Sequence, residues 1–191
     1  MVVLLGKSGS GKSTIVNELV KKYGYQNIKI TTSRTKRKNE NENNYNFISE
    51  NEFENLISKD AFVTYLKTPI GYYGIKISDC INTNNKHIII LSPSSFREFK
   101  SHMADLDITS IYLWCDRATL LIETIERGDN IEEAYRRNLH DEGHFEGIEK
   151  EVDYTVYNYK HLTPFDEIAK LIDSTIKTLP KNNKIGFYYN E

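Results

Sequence analysis

The residues with the plainest chemistry open the chain. Gly6-Lys7-Ser8-Gly9-Ser10-Gly11-Lys12-Ser13 fits the spacing G-x-x-x-x-G-K-[ST], and Thr14 follows it. Gly6, Gly9 and Gly11 let the backbone curl so that successive N–H groups point inward, a concave nest for phosphate oxygens. A helix starting after the loop directs its positive dipole end at the same anion. Lys12 supplies a point charge for the outer phosphates, and the Ser13 hydroxyl is placed to ligate Mg²⁺. At average composition a chance match in 191 residues has a likelihood below about 1%. A Gly/Ser loop that merely joins two elements is the weaker reading.

A second concentration of charge follows. Arg34, Lys36, Arg37 and Lys38 place four cations within five positions, and Tyr45 and Phe47 interrupt the polar tract behind them. Read alone, residues 33–47 are a solvated loop, but solubility does not require so much positive charge. A third charged stretch holds Arg127-Gly128, Glu132-Glu133 and Arg136-Arg137.

The elements around these stretches alternate. Val2 to Leu5 reads as a short buried strand, and the helix after the loop runs from 12 to about 23, stopped by Gly24. Strands are expected over 28–32, 62–66, 87–91, 108–115 and 154–156. Helices are expected over 49–59, with a Ser49/Glu52 capping box, and over 76–83, 94–103, 131–143 and from Pro164 onward. Asp116 is expected to cap a further helix carrying Leu120, Leu121, Thr124 and Ile125 on one face. Strands alternating with helices imply a mostly parallel sheet. Two stretches break the alternation, the cationic loop through Gly74 and the charged helix after Arg127. A phosphoryl-transfer enzyme needs two such insertions, a lobe for the acceptor and a lid against water. The tail from Leu179 is expected to dock Phe187, Tyr188 and Tyr189 at an unspecified place.

Composition narrows the classes. A charged fraction of 27% beside 39% apolar residues is ordinary for a globular chain. The net charge of −2 gives no basic field, so nucleic acid is not an expected partner. Cys80 and Cys115 lack metal-ligand spacing and are expected to be reduced. No apolar run has membrane-span length, and the opening apolar stretch is too short for a signal peptide, so a cytoplasmic protein is expected.

The motifs, in order, resemble the guanylate kinase family over nearly the whole chain. Thr31-Thr32-Ser33-Arg34-Thr35-Lys36-Arg37 stands where the family has Thr-Thr-Arg-x-x-Arg. Tyr45-Asn46-Phe47-Ile48-Ser49 and Tyr72-Tyr73-Gly74 match its next two motifs, and Arg127-Gly128 with Arg136-Arg137 matches its lid. The resemblance implies an α/β P-loop three-layer fold. Its core would span 1–32, 86–126 and 146–178, its acceptor lobe 33–85, its lid 127–145 and its tail 179–191. It implies transfer of phosphate from ATP, with Mg²⁺, to GMP or dGMP. Gly6, Ser8, Gly9, Ser10, Gly11, Lys12, Ser13 and Thr14 would hold ATP, with Ser13 on the metal. Arg34, Arg37, Tyr45, Thr64 and Tyr73 would hold the acceptor, and Lys12, Arg34, Arg127 and Arg137 would carry catalysis. Small-molecule nucleotides would be its partners, in a monomer or a homodimer.

Three positions depart from the family pattern. The family reads guanine with a Glu, a Ser and an Asp, where this chain has Thr64, Ile75 and the Ser92-Pro93-Ser94-Ser95 run. Thr64 and Ser94 can hydrogen-bond a base, but neither is a charged acceptor; Glu40 could move in. In strict register the terminal lid arginine is Asn138, which leaves Arg136 and Arg137 as alternatives. The departures keep two other readings in view. One is the same fold acting on another nucleoside monophosphate or a sugar phosphate. The other is a non-catalytic binding module, against which the intact phosphate loop weighs.

Overall fold

In chain order the elements are β1 (Val2–Leu5), α1 (Lys12–Tyr23), β2 (Gln26–Asn27), β3 (Ile30–Thr32), β4 (Tyr45–Phe47), α2 (Glu50–Ile57), β5 (Phe62–Thr68), β6 (Gly71–Lys76) and α3 (Ile77–Cys80). They continue with β7 (His87–Ile90), α4 (Pro93–His102), β8 (Thr109–Trp114), α5 (Arg117–Glu126), α6 (Ile131–His144), β9 (Tyr154–Tyr157), α7 (Phe165–Thr178) and β10 (Asn183–Gly186). This computed structural model describes residues 1–36, 44–81, 83–126, 128, 130–158, 163–178 and 183–186, with Glu133 and the last four by backbone only.

Strand β1 is fully buried, and its alternation divides the interior in two. Val2 and Leu4 face Ile15, Val16 and Leu19 of α1 and Ile168 and Ile172 of α7. Val3 and Leu5 face Phe96 and Phe99 of α4, together with Phe145 and Ile148. Continuous apolar runs suit a strand covered by helices on both sides. The sheet around β1 is parallel throughout, in the order β10-β9-β8-β1-β7-β2. The phosphate loop therefore leaves the sheet from a central strand.

A second sheet has the order β4-β3-β6-β5, with β3 and β6 antiparallel and β5 and β6 a hairpin turning at Pro69-Ile70. It rests on the first core through Val63 and Ile75, which share a cluster with Phe96 and Phe99. Its other face carries α2, whose Ser49 cap forms the expected capping box with Glu52.

Several expectations change. The strand expected over 28–32 is two strands in different sheets, β2 beside β7 and β3 beside β6. The chain crosses between them at Ile28, whose N–H donates to the Ile88 carbonyl. Thr31 and Thr32 therefore belong to the second sheet and not to the core boundary drawn at 32. The segments 45–47 and 71–76 are strands, because their partners lie on neighbouring strands and not within their own short runs. Residues 183–186 of the tail add β10 to the edge of the main sheet, while Phe187, Tyr188 and Tyr189 lie outside the described residues. Cys80 and Cys115 are buried free thiols. No helix among the described residues is long and apolar enough to cross a membrane.

A buried carboxylate ties α7 to the residues that lead into β2 and β7. Asp173 accepts from Lys177 Nζ at 2.6 Å, Lys86 Nζ at 2.9 Å and the Tyr25 hydroxyl at 3.2 Å. Burial pushes its pKa up, but the hydrogen bonds from Lys177, Lys86 and Tyr25 outweigh this and hold it below the ordinary carboxylate value. The folded value is the lower one. The stabilisation is therefore complete above the unfolded pKa of about 3.9 and is lost as pH falls through the folded value. Asp173→Asn should cost about 1–3 kcal/mol at pH 7 in a denaturant titration. That gap should narrow below about pH 4, and an equal gap at both pH values would rule out a role for the charge.

Candidate active site

The loop between β1 and α1 is braced from behind. Ser10 is fully buried, its N–H donates to the Lys7 carbonyl at 3.1 Å, and its own carbonyl accepts from the buried Asn158 amide at 2.8 Å. Gly9 and Gly11 have φ of 84° and 87°, which L side chains rarely adopt. Gly6 has no positive φ, so its contribution differs from the expected curl: a Cβ there would lie 2.6 Å from Ser10 Oγ and 3.0 Å from the Leu113 carbonyl. It is a close-approach glycine.

Helix α1 begins at an N-cap, Gly11, whose side chain offers nothing, and no acid lies in its first turn. Its leading N–H groups and dipole are therefore open to an anion. Ser13 and Thr14 are exposed there. The Ser13 hydroxyl has no protein partner among the described residues, which suits a metal ligand. No cluster of three or more His, Cys, Asp or Glu residues that could hold a metal exists among the described residues. Lys12 Nζ donates to the carbonyls of Gly6 and Lys7 at 2.6 and 2.7 Å, folded over its own loop.

Two carboxylates from α6 meet this loop. Asp141 Oδ2 accepts from the Ser8 N–H at 2.7 Å, and Glu142 pairs with Lys7 at 3.1 Å. Phosphate oxygens would use the same donors. Neither acid figured in the sequence reading, because 133 and 135 positions separate these partners.

The second sheet gathers the other charge. Arg34 is only 6% exposed, and its guanidinium carbon lies 4.7 Å from the Tyr45 ring centroid, 5.3 Å from that of Phe47 and 6.0 Å from that of Tyr73. Register explains the gathering: Thr32 pairs with both Phe47 and Tyr73, Ile30 with Tyr45, and Leu66 with Tyr73. Opposed residues, and those two apart, share a face. Tyr45, Phe47, Tyr73 and Thr64 consequently lie on one face. Tyr72 points the other way and stacks on Phe53 of α2 at 5.0 Å.

Thr64 is 7% exposed, and its hydroxyl donates to Glu98 of α4. Neither Thr64 nor Ser94 is a charged acceptor, and Glu98 supplies one beside Thr64. Ser94 instead shares the cap of α4, with its hydroxyl 3.1 Å from that of Ser92.

On α6, Arg136 is exposed and Arg137 half-buried. Asn138, the position expected in register with a lid arginine, is buried, and its side chain accepts from Arg117 Nε at 3.0 Å. Arg37, Glu40 and Arg127 lie outside the described residues.

A family model described as guanylate kinase matches residues 1–173 of this chain. The chain belongs to the guanylate kinase family. It is 26% identical over 183 residues to a protein named guanylate kinase from Prochlorococcus marinus (strain MIT 9312), covering 93% of this chain and 97% of the relative. It is likewise 26% identical over 197 residues to one from Clostridioides difficile (strain 630), covering 100% of this chain and 92% of the relative. The crystal structure of guanylate kinase from Anaplasma phagocytophilum shares the fold, with a TM-score of 0.65 at 20% identity over 92% of this chain and 84% of that one.

The contact between α6 and the loop carries a prediction. Asp141→Ala removes a carboxylate that competes for the Ser8 N–H, so inorganic tripolyphosphate should bind about two- to ten-fold more tightly by calorimetry. Unchanged affinity would mean that the contact opens without cost.

Proposed function

We propose that this chain is an ATP-dependent guanylate kinase, transferring the γ-phosphoryl group of ATP to GMP or dGMP. The observation that carries the reading is a buried, aromatic-walled arginine, Arg34, on a second sheet in a chain that keeps a complete phosphate loop. One loop suffices for an ATPase. A second phosphate grip built on its own sheet serves an acceptor.

In this reading the core and the second sheet hold donor and acceptor respectively, and α6 belongs to the lid. The loop N–H groups from Gly6 to Thr14 cradle the ATP phosphates. Lys12 turns from its own loop's carbonyls to the outer phosphates, and the carboxylates of Asp141 and Glu142 withdraw. The Ser13 hydroxyl would hold Mg²⁺ together with phosphate oxygens and water, and the ion would neutralise charge on the transferring group. Arg34 and Arg37 grip the acceptor's phosphate through charge-assisted hydrogen bonds, and Tyr45 and Tyr73 add hydroxyls. An oxygen of that phosphate forms the new bond to the γ-phosphorus while the bond to the β–γ bridging oxygen breaks, and ADP leaves. Charge on the in-flight oxygens calls for cations above the loop, the role given to Arg127 and Arg137. The setting consistent with this activity is cytoplasmic, with small-molecule nucleotides as partners.

A coupled ADP-release assay across GMP, dGMP, AMP, CMP and UMP tests the reading. GMP and dGMP should be turned over, and clear turnover of another acceptor without them would overturn it. Lys12→Ala should lower kcat by about 10²–10³-fold or more. Mg·ATP should raise the thermal midpoint of the wild type, since a ligand that binds only the native state stabilises it. A non-catalytic module that had lost nucleotide binding would show no shift.

A further inference from the structure

We propose that Glu98 is the residue that reads the acceptor's base, reaching it from helix α4 and not from the sheet. The proposal rests on the kinase reading above and names the specificity element of its acceptor site.

Three observations place it there. Thr64 is buried on the face of the second sheet that carries Tyr45, Phe47 and Tyr73, and its hydroxyl donates to Glu98 Oε2. Thr64 lies one strand across and two residues along from Tyr73. Strand geometry makes that offset roughly 8 Å, a distance a ribose can bridge between a held phosphate and a base edge. Glu98 itself is exposed, and Oε1 has no protein partner among the described residues. The carboxylate is thus pinned by one oxygen and still accessible to a ligand.

Its chemistry selects one purine. A carboxylate offers two acceptor oxygens, with lone pairs beyond the one Thr64 occupies. Guanine presents N1–H and its 2-amino group side by side, two donors matched to two acceptors. Adenine presents a lone pair at N1 and repels the carboxylate. Hypoxanthine keeps N1–H but lacks the amino group, so it makes one bond where guanine makes two. Val63 and Ile75, buried beside Phe96, form an apolar floor near the pair, and hydrogen bonds strengthen where water is displaced.

Thr64 is then a positioning residue, holding one carboxylate oxygen so that the fork faces the base. Helix α4 makes this possible because Phe96 and Phe99 anchor it on the same core that receives Val63 and Ile75. Glu98, between the two anchors in sequence, is carried to the sheet edge. A plain helix-surface acid with a structural hydrogen bond would have no effect on which base is accepted.

The test is steady-state kinetics of the wild type, Glu98→Gln, Thr64→Val and Thr64→Ser with GMP and IMP at saturating ATP. Glu98→Gln replaces one acceptor by a donor that opposes guanine. It should raise KM for GMP by about ten-fold or more and lower the GMP-over-IMP preference by a similar factor, leaving KM for ATP in place. Thr64→Val should shift both quantities in the same direction by less, and Thr64→Ser should restore them. A Glu98→Gln enzyme that phosphorylates GMP with the wild-type GMP-over-IMP ratio would overturn the assignment while leaving the kinase standing. A wild type that phosphorylates no GMP would overturn the kinase reading, and the base reader with it.

Discussion

A nest of backbone N–H groups holds an anion only if the backbone cannot relax to satisfy itself, so the loop from Gly6 to Ser13 has to be propped from outside. Buried Asn158, at the end of β9, donates to the Ser10 carbonyl. The Leu113 carbonyl of β8 fills the space beneath Gly6, the Leu120 carbonyl of α5 comes up against Gly9, and the ring of Phe165 lies against Gly11. Elements scattered over most of the chain converge on eight residues. The parallel order of β9, β8 and β1 makes this convergence possible, since it sets the ends of all three strands beside one another.

The second sheet solves a different problem. A guanidinium removed from water is costly unless something replaces its hydration. Arg34 has three aromatic rings around it and a Thr35 carbonyl at 3.0 Å. The rings favour the cation through their faces and fix its position. Helix α6 places Asp141 on the Ser8 N–H and Glu142 on Lys7, so carboxylates occupy donors of the loop. In the proposed reading, nucleotide entering the loop would displace those carboxylates and so couple filling of the loop to the position of α6.

Much of this was legible in the sequence because it is local. The phosphate loop, the buried runs of β1, β7 and β8, the Ser49 capping box, the Gly24 stop and the Asp116 cap each depend on neighbours within a few positions. Tyr73 could be separated from Tyr72 because the motif carried the order, and the structure gives the two opposite faces. What escaped depends on distance along the chain. Strands β4 and β6 are defined by partners on β3, and 28–32 divides because two sheets compete for it. Glu98 reaches Thr64 across 34 positions, Arg117 reaches Asn138 across 21, and Asp141 reaches Ser8 across 133. No local pattern encodes such contacts; they follow from which helix faces are apolar and how those faces stack.

The central claim is that one chain carries two phosphate grips serving one reaction. Its most direct test is calorimetric binding of a bisubstrate analogue, adenosine and guanosine joined through their 5′ oxygens by a five-phosphate bridge. Two sites engaged by one tether predict a single molecule bound per chain, with affinity at least about 100-fold above that of ATP alone. That advantage should be lost in both Lys12→Ala and Arg34→Ala. Affinity equal to that of ATP, unaffected by Arg34→Ala, would contradict the account.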